Sequence, residues 1–78
     1  MSVAEAFGNI ADILARMDPS AIVQLKAPES MSERVEELVA RKKEDRISKD
    51  EMVELERYLS LDLLINLAKA RAKRILSA

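Results

Sequence analysis

The chain has no cysteine, no histidine and no tryptophan, a single glycine, two prolines and two aromatic residues, Phe7 and Tyr58. Without cysteine there is neither a disulfide nor a thiolate metal site. Without histidine the commonest metal ligand and general base is missing. One glycine cannot build a glycine-rich phosphate loop. A net charge of -1 gives no overall pull toward nucleic acid or an anionic membrane. No apolar run approaches the roughly 18 residues of a membrane span. Met1-Ser2-Val3-Ala4-Glu5 lacks the basic and apolar regions of a signal peptide, so cytoplasmic residence is expected. At 78 residues one domain is expected. Such a chain buries only about 60% of its unfolded surface, and the one staple left to it is oligomerisation.

What is present favours helices. Ala, Glu, Lys, Leu and Arg dominate, all strong helix formers. Hydrophobic residues make up 49% of the chain, which argues against disorder. The expected fold is all-α, a small bundle of three to four helices with a long C-terminal helix, assembled as a dimer. The helices are expected at about 4–17, 19–26, 29–43 and 49–76, within one domain spanning 1–78. In the first, Phe7, Ile10, Leu14 and Met17 share one stripe, which Ala6 and Ile13 widen. Gly8 weakens this helix by up to about 1 kcal/mol, so order is expected to start nearer Asn9.

Asp18-Pro19 closes the first helix and opens a short second one, with Asp18 as N-cap and Pro19 as first residue. Ile22, Val23 and Leu25 give it an apolar side, and Ala27-Pro28 ends it. Ser30-Met31-Ser32-Glu33 matches a capping box for the third helix, with Ser32 as a competing cap. Met31, Val35, Leu38 and Val39 form its apolar stripe. Glu33, Glu36, Glu37, Arg41 and Lys43 form its wet face. Lys43-Glu44-Asp45-Arg46 is the turn. Ser48-Lys49-Asp50-Glu51 is a second and cleaner capping box, with Ile47 and Met52 placed for a hydrophobic staple.

From Lys49 onward nothing stops the last helix, and its apolar residues sort into two stripes at about 100° per residue. One holds Met52, Leu59, Leu63, Leu67 and Ala70. The other holds Tyr58, Leu61, Leu64, Ile65, Ala68, Ala72, Ile75 and Leu76. Either the earlier helices cover both stripes, or they cover one and a second copy covers the other. The small core favours the second copy. The candidate oligomer interface is Tyr58, Leu61, Leu64, Ile65, Ala68, Ala72 and Ile75. Asp62 and Asn66, four apart between the stripes, either fix register or form a solvated strip.

The end of the helix is basic: Lys69, Arg71, Lys73 and Arg74, with no acid after Asp62. These four are the candidate nucleic-acid contacts. They spread around the helix, no aromatic side chain accompanies them to stack on bases, and cations also suit a helix C-terminus. A solvated tail is the plainer reading. Catalysis finds little to use. Ser30, Ser32 and Ser48 are read as caps with no base beside them. The adjacent pairs Glu36-Glu37 and Asp50-Glu51 diverge by about 100° on a helix.

Three stretches, Ser32-Glu33-Arg34-Val35-Glu36-Glu37-Leu38-Val39, Ile47 through Leu59 and Leu67-Ala68-Lys69-Ala70-Arg71-Ala72, resemble a group of short all-helical bacterial proteins. That group has a helix, a polar turn, a Ser/Thr-x-x-Glu capped long helix and a Lys-Ala-Arg-Ala ending. Their turn often carries glycine where Glu44-Asp45-Arg46 stands here. The resemblance covers about the last fifty residues and brings no activity, cofactor or site residues with it. The expected function is a non-enzymatic protein–protein interaction module, homo-oligomeric through the C-terminal helix, in the manner of a small regulatory or antitoxin-like partner. No cofactor or membrane is expected. The alternative is a nucleic-acid-binding regulator.

Overall fold

The computed structural model describes all residues, Met1–Ala78. It is all-helical, with α1 (Val3–Met17), α2 (Pro19–Val23), α3 (Glu29–Lys43) and α4 (Lys49–Ser77). The residues group into two compact units, and α4 contributes to both. One unit joins Met1–Lys26 with Leu63–Ala78; the other is Ala27–Asp62.

In the Ala27–Asp62 unit, α3 starts at the expected residue, Glu29, but not with the expected cap. Neither Ser30 nor Ser32 caps it; both lie inside the helix, and no side chain caps its start. Pro28 sits at the N-cap position, and its carbonyl accepts from the N–H groups of Met31 (3.0 Å) and Ser32 (3.2 Å). Proline's fixed φ lets the chain turn directly into the helix, so the first turn forms before either serine could act as a cap.

The end of α3 is a Schellman motif. Asp45 adopts a left-handed backbone, φ 58°. Its N–H bonds to the Lys42 carbonyl at 3.1 Å, and the Arg46 N–H bonds to the Arg41 carbonyl at 2.8 Å. Asp45 thus occupies the place that glycine usually takes, at a cost in steric strain that aspartate tolerates better than most residues. Three residues later α4 opens with the expected reciprocal box. The Ser48 N–H donates to Glu51 Oε1 at 2.9 Å, and the Glu51 N–H donates to Ser48 Oγ at 3.1 Å. Ile47 and Met52 are half-buried, as a staple requires. The fully buried side chains of this unit are Leu38 and Leu55.

In the other unit, Ser2 caps α1 by accepting from the Glu5 N–H at 3.1 Å. This cap offsets the weakness at Gly8, so α1 is helical from Val3 and not from near Asn9. Asp18 caps α2, accepting from the Ala21 N–H at 3.2 Å, with Pro19 in the first turn. α2 stops at Val23 and not at Lys26. Gln24 and Leu25 turn their N–H groups back to the carbonyls of Ala21 and Ile22, three residues earlier, which tightens and ends the helix.

The only residues of this unit that are fully buried are alanines: Ala11 and Ala15 in α1, Ala68 and Ala72 in α4. Asp12, a sequence neighbour of Ala11, accepts from Arg16 Nε at 2.9 Å and lies 4.0 Å from Arg71, a sequence neighbour of Ala72. Small side chains allow close helix approach. This packing divides the stripe expected on α1. Phe7 and Leu14 flank the alanines and are half-buried, whereas Ile10, Ile13 and Met17 lie farther round and are exposed.

Two stability measurements test these local assignments. Asp45→Gly should raise the unfolding free energy by about 0.5–1 kcal/mol, and Asp45→Val should lower it by about 1 kcal/mol or more. A Cβ at Gly8 would meet only the Arg71 Nη2 atom, at 3.3 Å. That guanidinium end can swing aside, so Gly8→Ala should stabilise α1 by up to about 1 kcal/mol in urea unfolding.

Candidate interaction surfaces

Charged side chains in the Ala27–Asp62 unit converge into one network. Arg34 grips Glu54 with two parallel hydrogen bonds, Nε to Oε2 at 2.8 Å and Nη2 to Oε1 at 3.0 Å. It also reaches Glu37 at 3.2 Å and Glu51 at 3.8 Å. Arg41 bonds to Glu37 and Glu51. The hydrogen bond from Arg34 holds the Glu54 carboxyl below its ordinary value, with the Tyr58 hydroxyl adding to the effect. The same bond keeps Arg34 more firmly protonated than an ordinary arginine. Paired forks of this kind fix geometry well. Every carboxylate in the network faces an arginine, so it clamps α3 to α4 and offers no free general base.

The sequence reading missed this clamp, placing Glu37 and Arg41 on a wet face and giving Arg34 no role. The signal was present. Arg34 and Arg41 are seven apart and thus two turns apart on one side of α3, and Glu51 and Glu54 are three apart on α4.

The candidate oligomer residues are placed unequally. Ala68 and Ala72 are 1% and 0% exposed within the chain itself, so that part of the face is already covered. Tyr58, Leu64 and Ile65 are half-buried, and Leu61 and Ile75 are exposed. From the other stripe, Leu59 and Leu63 are exposed as well. Asp62 and Asn66 lie at the surface, and each is engaged by a neighbouring group. Among the basic residues, Lys73 and Arg74 are exposed, Lys69 is half-buried, and Arg71 is half-buried and paired with Asp12.

A further uncovered apolar surface was not singled out from the sequence. It lies on α1, where Val3, Ile10, Ile13 and Met17 are 73%, 48%, 58% and 75% exposed. With the half-buried Ala6 they form one line at spacings of three, four, three and four. That is the alternation of a helix–helix seam. Its polar side carries Glu5, Asn9, Asp12 and Arg16, two acids against one base.

In the Ala27–Asp62 unit a groove is lined by Met31, Val35, Tyr58 and Leu59, with Glu36 and Asp62 among its polar residues. No cluster of acidic side chains is arranged to hold a metal ion, and no helix is long and apolar enough to cross a membrane. Comparison with protein-family models, curated proteins and solved structures finds no match to this chain.

The clamp makes a prediction about acid. A carboxyl with a lowered native pKa contributes stability that is present above its unfolded value and lost as pH falls through the lowered one. Stability should therefore decline as pH drops below 4.5, the ordinary value for Glu54. Glu54→Gln should be less stable at neutral pH and should show a smaller decline in acid. Urea midpoints at about pH 7 and about pH 3 check both statements.

Proposed function

We infer that this chain is a non-enzymatic protein–protein interaction module that works as a homo-oligomer, in the manner of a small antitoxin-like or adaptor partner. One observation carries the reading. Four large apolar side chains on α1, Val3, Ile10, Ile13 and Met17, are half to three-quarters exposed and form a line, where isolated exposure would need no explanation. Full burial of such a side chain is worth about 1.5–3 kcal/mol, so four partly exposed ones leave on the order of 5 kcal/mol per chain ungained. Two chains together come within the range of the association cost of about 4–15 kcal/mol, which suits a weak, concentration-dependent assembly.

The C-terminal helix was the expected seam. With Ala68 and Ala72 covered, what α4 still offers a partner is Val53, Leu59, Leu61 and Leu63, together with Ile75 and Leu76. The arginine clamp supports a structural role for the charges of α3. The nucleic-acid reading has less behind it, because Arg71 is already paired with Asp12.

Sedimentation velocity over a dilution series tests the reading. The sedimentation coefficient should rise from a monomer value to a dimer value through the micromolar range, with helicity by circular dichroism nearly constant. A fully helical monomer throughout would overturn it. A duplex mobility shift at low salt, lost when Lys69, Arg71, Lys73 and Arg74 are neutralised, would favour the nucleic-acid role instead.

A further inference from the structure

The line of exposed side chains on α1 has a symmetry of its own. Ile10 stands at its middle, with Ala6 and Ile13 on either side and Val3 and Met17 at the ends. The ends are about 21 Å apart along the helix. We propose that α1 pairs antiparallel with α1 of a second copy about a two-fold axis at Ile10. This rests on the homo-oligomer reading and deepens it by naming the helix, the direction and the register.

Charge selects the direction. Glu5 and Arg16 lie on the same flank of the line, near opposite ends. Antiparallel pairing brings Arg16 of each chain beside Glu5 of the other, at two equivalent places. In a parallel two-fold pair this flank would instead face the partner's other flank, that of Phe7 and Leu14, and neither charge would find a complement. The antiparallel arrangement also sets Ile10 on Ile10 and Val3 on Met17, with Ala6 within about 1.5 Å, one residue's rise, of the level of Ile13. A two-fold axis is the commonest closed arrangement, because each copy then uses the same patch.

The seam is continuous with the chain's own packing, since Phe7 and Leu14 run from its other flank toward the buried Ala11 and Ala15. A membrane surface is the poorer occupant. Helices that lie in lipid headgroups carry Lys and Arg on their polar face, and this one carries Glu5 and Asp12 against Arg16 alone.

Because the chain has no cysteine, single introduced thiols report the register cleanly. Three variants, Ile10→Cys, Val3→Cys and Met17→Cys, would be treated with a short bis-maleimide linker. The expected result is a covalent dimer from Ile10→Cys alone, none from Val3→Cys or Met17→Cys alone, and a dimer from a mixture of those two. Homodimers from Val3→Cys alone and Met17→Cys alone would mean parallel pairing and overturn the proposal.

Ile13→Glu changes a residue exposed in the single chain, so it should keep full helicity. It should raise the dissociation constant by about tenfold or more in sedimentation. An unchanged dissociation constant, with no linkage at Ile10, would place the interface elsewhere; the α1 pairing then fails while self-assembly stands. If wild-type protein is a monomer at every concentration, both fail.

Discussion

The carboxylate of Glu51 does two jobs at once. One oxygen closes the capping box with the Ser48 N–H, and the other meets Arg41 and lies near Arg34. The first contact decides where α4 begins. The second decides which side of α4 faces α3. A helix start is usually a local matter of four residues, and helix packing a matter of distant ones. Here both pass through one side chain, so the turn after α3, the first residue of α4 and the rotation of α4 about its axis are set together. Leu38 on α3 and Leu55 on α4 are the fully buried side chains of the same unit.

The other unit is built on a different principle. Its buried residues are alanines, which contribute little apolar area each but let two helix backbones approach. Small side chains also leave the larger ones nowhere to go but outward. Ile10, Ile13 and Met17 are exposed because the alanine line, and not the line of bulky residues, is turned inward. This unit therefore gains little of its stability from apolar burial within the chain.

Much of the fold was legible in the sequence. The all-α class, the long last helix, the Asp18-Pro19 boundary and the Ser48 box all follow from interactions within four or five residues. The failures share a cause. Ser30 had the right pattern for a cap, but a proline carbonyl two residues earlier started the helix first. The end of α2 was placed at the next proline, although the last turn tightens before it. Periodicity put Phe7, Ile10, Leu14 and Met17 on one side of α1, and they are on one side; it could not say that the alanines would take the centre of the contact. Spacing within each helix lines up Arg34 with Arg41 and Glu51 with Glu54, but only the packing of the two helices brings the two sets together.

The division of the chain has a consequence for the order of events during synthesis. Residues 27–62 form a unit from one unbroken stretch, so its contacts are local and its loops short. The other unit needs residues 1–26 and 63–78, and the whole of the first unit lies between them in sequence. Local contacts form early, and distant ones wait on chain closure. The α1 helix therefore leaves the ribosome before residues 63–78 exist. For that interval its alanine edge and its aliphatic line are both uncovered, and the nascent chain presents more sticky surface than the finished one ever does.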